Sequence, residues 1–168
     1  LWEKSIGETN THERFRGFQT TSDGEIICVG EWISADGNDV DVWVVKTNTT
    51  GVTIWNNVFG FDISPPAFAN DRGLCLSLEA DESIVIGGNT TAVVGPLAGF
   101  LMKITSDGLG MEWFRTYPKT SFNSIAKTND VAGYFLGGMI EITSSFEDLY
   151  ILKTDAIGNQ IWDNHIGR

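Results

Sequence analysis

One short segment type returns four times along this chain, and every copy carries a tryptophan. The copies read LWEKSIG, IWNNVFG, EWFRTYP and IWDNHIG, and they place their indoles at Trp2, Trp55, Trp113 and Trp162. Self-similarity at a period of about 50 residues is typical of repeat architectures, in which each unit is one supersecondary element. We therefore expect a series of similar units that stack against one another.

Two other landmarks keep the register of the tryptophans. One is a lysine that ends an apolar run, and the other is a glycine that closes the apolar run before it. They fall at Lys46, Lys103 and Lys153, and at Gly30, Gly87 and Gly137. A lysine that recurs in every unit is expected to be structural, with its aliphatic stem on the sheet and its ammonium near turn carbonyls or carboxylates.

Each unit contains strand-like runs separated by turn-forming clusters. In the first unit the runs are GFQTTS, EIICVGEW, DVWVVK and VTIWNNVFG, and the pairs Asp23-Gly24 and Asp36-Gly37 stand between runs. Asp-Gly between two such runs is a strong hairpin signal, because both residues tolerate the positive φ that tight turns demand. Antiparallel strands follow, and no segment has the period of an amphipathic helix.

The middle strands of the units are apolar without interruption, as in IICV at 26–29 and LYIL at 149–152. A strand that is apolar on both sides is expected to be buried on both faces. This pattern favours sheets stacked face to face around an axis. We predict an all-β fold, a β-propeller made of four-stranded antiparallel blades.

The repeat divides the chain into one partial and three complete units. We predict the outer strand of a preceding blade plus a linker at 1–13, and a first blade at 14–60. A linker and the second blade follow at 61–118, and the third blade at 119–168. Because a closed propeller typically has four to eight blades, we expect a segment of a larger protein. The alternative is a homo-oligomer in which two chains complete one ring.

Segment 2–7 has the order Trp, Lys, Gly, segment 21–30 carries Asp-Gly followed by a strand-like run and a glycine, and segments 41–55 and 148–162 each run from an aspartate through a lysine and a glycine to a tryptophan. They resemble secreted bacterial and archaeal β-propeller repeats of the type W-x-K-x-x-G, T-x-D-G-G-Y-I-x-x-G and D-x-W-x-x-K-x-D-x-x-G-x-x-x-W. The Gly-x3-Trp element also resembles the tryptophan-docking hairpin of quinoprotein dehydrogenases, where the indole braces neighbouring blades. The resemblance implies an extracellular or cell-surface protein used for adhesion, scaffolding or recognition.

The charge balance is acidic, with 22 Asp and Glu against 11 Lys and Arg and a net charge of −11. A chain with this balance repels phosphate backbones, so we expect no nucleic-acid partner. No apolar run approaches the roughly 18 residues that a membrane-spanning helix needs. We therefore expect no membrane span.

Three carboxylates crowd one hairpin, at Asp36, Asp39 and Asp41. Hard oxygen ligands at this density could hold Ca²⁺, although their order is not that of an EF-hand. The more common role of such side chains is to cap turn amides. No other cofactor is indicated.

Two N-x-[ST] triplets begin at Asn48 and Asn89, in or near hairpins, and would accept glycans in an exported protein of a glycosylating organism. Cys28 and Cys75 each lie within apolar strand sequence. We expect two small buried hydrophobes, and a disulfide between neighbouring units is the alternative.

No residue set has the pattern of a catalytic site. His12 and His165 lie in unlike contexts without partner ligands at metal-site spacing, and both are expected to be surface residues. The predicted function is a non-catalytic extracellular binding or structural module. Its expected partners are other blades of the same larger protein or a second copy, and a carbohydrate or protein ligand. The alternative is part of a propeller enzyme, a glycoside hydrolase or quinoprotein dehydrogenase, whose active residues lie elsewhere.

Overall fold

The computed structural model describes residues 3–7, 9–61, 69–91, 97–129 and 132–167. These residues form an all-β structure of twelve strands, and no helix occurs among them. A helix long and apolar enough to span a membrane is therefore not found in these ranges.

The strands form three antiparallel sheets of four strands, and each sheet follows the chain order from one edge to the other. The first sheet contains β1 His12–Thr20, β2 Ile26–Ile33, β3 Val40–Thr47 and β4 Thr53–Phe59. The second contains β5 Arg72–Leu78, β6 Ile84–Thr90, β7 Ala98–Ile104 and β8 Met111–Pro118. The third contains β9 Thr120–Lys127, β10 Gly133–Thr143, β11 Phe146–Asp155 and β12 Gln160–Ile166. Each complete unit of the sequence repeat thus forms one sheet.

The predicted outer strand at the start of the chain is not among these strands. Residues 3–7 have no strand structure, and Leu1 and Trp2 lie outside the described residues. A lone strand has no neighbour for its N–H and C=O groups, which accounts for the difference. Within the described ranges the three sheets do not close into a ring.

Two apolar layers hold the three sheets together. The first layer joins the first and second sheets through residues such as Val44, Ile86 and Phe100. The second layer joins the second and third sheets through Val85 and Leu136, among others. Val85 and Ile86 are neighbours that point to opposite faces, and both are fully buried. The expected burial of both faces is therefore confirmed for the middle sheet.

The third sheet departs from this expectation on the side that faces away from the second sheet. There Leu149 is 54% exposed and Ile166 is 62% exposed. The far side of the first sheet is covered in part, because Trp43 and Val45 are 3% and 0% exposed whereas Phe18 on the same face is 71% exposed. On the side that faces away from the second sheet, the apolar residues of the third sheet thus have no neighbouring sheet within the part of the chain that the structure describes.

In each sheet the first strand contains a bulge, and the bulge lies opposite a glycine of the second strand. The register shifts between Phe15 and Gly17 in β1 and between Gly73 and Cys75 in β5, and the third shift faces Gly137 and Gly138. The bulge brings a main-chain oxygen of the first strand onto the α-carbon of the glycine. A side chain has no room at that position.

The glycines opposite the bulges are Gly30, Gly88 and Gly138. A Cβ atom built on any of them would lie 1.8 Å from a main-chain oxygen. The sequence repeat indicated Gly30, Gly87 and Gly137, so the structure places the corresponding glycine one residue later in the second and third sheets. At Gly137 the nearest atom to an added Cβ is 3.8 Å away.

Aspartate side chains close several of the hairpins. Asp36 accepts hydrogen bonds from Ser34 Oγ at 2.7 Å and from the amide of Asn38 at 3.2 Å. The amide of Leu109 donates to Asp107 at 3.0 Å. Hydrogen bonds from hydroxyl and amide groups lower the pKa of both carboxyl groups below the ordinary value.

These turn carboxylates predict a loss of stability in acid. A carboxyl group whose pKa is lower in the folded chain than in the unfolded chain stabilises the fold above the unfolded value of about 4. That contribution is lost as the pH falls through the folded pKa. We expect the melting temperature to be constant from pH 7 to 5 and to fall between pH 4 and 2, as measured by circular dichroism. In D36N the Asp36 share of the acid loss should disappear.

Candidate functional site

The recurrent tryptophans lie at the seams between sheets. The Trp55 ring packs on Gly108 in the hairpin between β7 and β8, where an added Cβ would lie 2.6 Å from the ring. Trp113 packs in the same way on Gly158 in the third sheet, with the corresponding distance 3.0 Å. Both glycines have a positive φ, 72° and 80°. In each seam a bare glycine turn thus provides the surface on which the indole lies.

A hydrogen bond to the same glycine accompanies each indole. Asn57 Nδ2 donates to the carbonyl oxygen of Gly108 at 2.9 Å. In the second seam the Tyr117 hydroxyl donates to the carbonyl oxygen of Gly158 at 2.5 Å. The two seams therefore share one design, an apolar contact plus a donor to the turn carbonyl, although the donor comes from different side chains.

Each of the three recurrent lysines has a carboxylate or an aromatic ring nearby, and one ion pair of Lys46 crosses the first seam. Lys46 Nζ lies 2.7 Å from Glu25, in the turn before β2, and 3.5 Å from Glu82, in the turn between β5 and β6 of the second sheet. Lys103 Nζ lies 2.9 Å from Glu112. Lys153 Nζ lies 5.3 Å from the centre of the Phe135 ring. The three lysines thus make different local contacts, and these contacts do not place them together in one pocket.

One pocket opens between the second and third sheets beside the second seam. It has a volume of about 370 Å³, and its walls include Arg115, Tyr117, Tyr150 and Gln160. Burial, and after it a hydrogen bond to Asp163, raises the pKa of Tyr150 to about 12. That hydroxyl keeps its proton at neutral pH, and the pocket offers aromatic walls and hydrogen-bond donors.

Sequence reasoning missed this pocket. Tyr117 and Tyr150 belong to different sheets and lie far apart in the sequence, so no local motif links them. The signal that was present is the tyrosine at the end of β8, where the first sheet has Phe59.

A narrower groove of about 210 Å³ runs where the first strands of the three sheets approach one another, beside the bulges. Arg16 lines it, and the Arg16 Nε donates to Glu31 at 2.7 Å. Glu31 is 1% exposed and also lies 3.7 Å from Arg72 Nε. The buried Glu31 carboxylate therefore connects Arg16 of the first sheet to Arg72 of the second sheet. The sequence offered no motif for this ion pair.

The structure does not gather the predicted calcium ligands around a common point. Asp36 caps its own turn, and a Cβ built on Gly60 would lie 2.5 Å from Asp41 Oδ1. In the described ranges no group of three or more His, Cys, Asp or Glu residues is arranged to hold a metal ion. Calcium binding by Asp36, Asp39 and Asp41 stays a prediction, which a calcium titration of the melting temperature would test.

The two predicted glycan acceptors lie in different surroundings. The Asn48 side-chain oxygen accepts from the amides of Thr50 at 3.0 Å and Val52 at 2.9 Å, within an exposed hairpin. Asn89 Nδ2 donates to Ser121 Oγ at 2.8 Å, across the second seam. A glycan on Asn89 would have to break that contact.

The other singled-out residues are dispersed. His12 begins β1 and is exposed. His165 in β12 lies 2.9 Å from Asp148, with its side chain 53% exposed. Trp162 lies opposite Lys153, at the register that Trp55 and Trp113 occupy opposite their own lysines, and it is 43% exposed. Trp2 lies outside the described residues.

Both cysteines are free thiols, so the alternative of a disulfide between them is not realised in this structure. Burial raises the pKa of Cys75 to about 12 and also raises the pKa of Cys28, which is less buried. The thiolate is the reactive form. We expect iodoacetamide at pH 8 to modify Cys28 slowly in the native chain, and Cys75 about 100-fold more slowly than after unfolding. Peptide mass spectrometry would measure both rates, and equal native rates would contradict the burial of Cys75.

No family model matches the chain, and no curated protein matches it.

Proposed function

We propose that the three sheets are blades of a β-propeller that works as a non-catalytic binding or structural module. In this proposal the chain belongs to a larger surface or secreted protein. The observation that carries this proposal is that the repeated residues pack between sheets. The tryptophans of the first two complete units and the hairpin glycines that receive them all lie in contacts between sheets.

A repeat whose invariant features serve packing leaves recognition to the positions that vary between units. The pocket beside the second seam is such a position, because Arg115 and Tyr117 replace Asn57 and Phe59 of the first sheet. Aromatic walls with guanidinium, amide and hydroxyl donors suit the faces and hydroxyl groups of a sugar. We assign carbohydrate as the ligand class to test first.

A glycan array probed with the purified chain tests this function. We expect the parent chain to bind a defined class of glycan. R115A and Q160A should each lower the affinity at least about tenfold, because each removes a polar contact of about 1.4 kcal/mol. N164A, on the far side of the third sheet, is the matched control and should bind like the parent.

Location and turnover complete the test. The protein should be cleaved by protease added to intact cells of its source. Release of reducing sugar from the bound glycan, or a bound chromophore with dehydrogenase activity, would favour the propeller enzyme instead. Binding unaffected by both pocket variants would remove the pocket from the proposal.

A further inference from the structure

The open side of the third sheet carries the same elements that make the two internal seams. Trp162 stands opposite Lys153 as Trp55 stands opposite Lys46. Asn164 stands opposite Ile151, at the register where Asn57 stands opposite Val44. In the first seam these two positions supply the docked indole and the donor to the turn carbonyl.

The apolar residues around Trp162 also match a seam. Ile151 corresponds to Leu101 of the second sheet, and Ile166 corresponds to Tyr117. Leu101 and Tyr117 are 0% and 7% exposed because the third sheet covers them, whereas Ile166 is 62% exposed. An exposed apolar face with this composition is unusual for a free surface and marks an interaction site.

The opposite end of the stack is covered in part: Phe18 on that face is 71% exposed, but the positions that would receive an indole are buried. The receiving side of the first sheet includes Trp43 and Val45, at 3% and 0% exposure, and the buried Gly51 is its hairpin glycine. A second copy of this chain could not insert Trp162 there without displacing what covers it. This disfavours head-to-tail self-association.

We propose that the open side of the third sheet binds a further four-stranded sheet of the same repeat within the larger protein. Trp162 packs on a left-handed glycine in the hairpin between the third and fourth strands of that sheet, and Asn164 donates to the glycine carbonyl. The inference rests on the proposed function only in that the chain belongs to a larger protein. Glycan binding and docking can fail independently, because R115A and W162A act on opposite sides of the third sheet.

An extended chain provides the test. A copy of residues 120–168 placed directly after Arg168 keeps the spacing from Trp162 to the next first strand equal to the spacing from Trp113 to Thr120. The copy brings its own hairpin glycine, the duplicate of Gly158. W162A is then compared in the 168-residue chain and in the extended chain, with W113A as the reference for a docked indole.

We expect W162A to lower the melting temperature by less than about 2 °C in the 168-residue chain and by about 5 °C or more in the extended chain. G158V in the duplicate alone should return the W162A effect to its small value. Hydroxyl-radical labelling of Trp162 should also fall severalfold on extension. Equal W162A effects in the two chains, or unchanged labelling, would overturn the proposal.

The parent chain supplies the remaining outcome. Analytical ultracentrifugation of the 168-residue chain should give a monomer with and without W162A. A dimer that W162A abolishes would overturn the choice of a further sheet and assign the face to a second copy.

Discussion

Replacing Gly138 with alanine is expected to destabilise the chain by about 3 kcal/mol or more. The added Cβ would lie 1.8 Å from the carbonyl oxygen of Ser121, and the obstructing atom belongs to the main chain of the paired strand. No rotamer change relieves such a contact, so the bulge in β9 or its pairing with β10 must be lost. The expected fall in melting temperature is roughly 6 to 12 °C for a chain of this size.

Its neighbour Gly137 is the matched control. Alanine there would meet no atom closer than the Cβ of Ser124 at 3.8 Å, and Gly137 has no positive φ. Because glycine inside a strand costs about 0.5 to 1 kcal/mol relative to alanine, G137A should be neutral or slightly stabilising. Urea unfolding of both variants measures the difference. A similar loss in G137A and G138A would show that the bulge is not the reason for the glycine.

The second large effect is expected at Gly108, the turn on which Trp55 lies. G108A should cost about 2 to 4 kcal/mol, from a left-handed backbone that disfavours a Cβ and from the indole 2.6 Å away. Gly37 separates the two causes, because its φ of 73° is similar and nothing lies within 4 Å of an added Cβ. G37A should cost only the backbone share, about 1 to 2 kcal/mol.

A double-mutant cycle isolates the indole. In a W55A background G108A should cost no more than G37A, because the obstructing ring is gone. Equal costs of G108A with and without the indole would mean that Trp55 does not dock on the hairpin in solution. Chemical unfolding monitored by circular dichroism is the suitable measurement, since W55A alters the fluorescence.

The sequence predicted the strands of the three units because their signals are local. Asp-Gly turns such as Asp36-Gly37 and unbroken runs such as that of β3 depend on neighbouring residues only. The resemblance of the Gly-x3-Trp element to a tryptophan-docking hairpin also implied contacts between units. Which residues meet, the indole of one sheet and the hairpin glycine of the next, depends on how the sheets stack and is not encoded in any local motif.

Register across a bulge could not be read from the sequence. Gly87-Gly88 and Gly137-Gly138 are consecutive pairs, and the extra residue in the first strand decides which member meets the main chain. Alignment along one chain selected the earlier glycine. Only the cross-strand partner distinguishes the two.

Contacts between distant residues were equally hidden. Glu31 has one of its arginine partners, Arg72, in the next sheet, and Tyr150 meets Tyr117 at a pocket between sheets. Charge counts describe the acidic surface but do not reveal a carboxylate that is 1% exposed. Contacts made by side chains that vary between units therefore cannot be predicted from the repeat pattern.

The layered arrangement also sets how the molecule comes apart. Each sheet draws its stability from itself and from immediate neighbours, as in a one-dimensional array of coupled elements. The middle sheet has a neighbour on both sides, while β12 at the end of the stack is exposed along its whole length. Fraying should therefore begin at that terminal strand and advance inward, and capping the end would raise the cooperativity of the whole array.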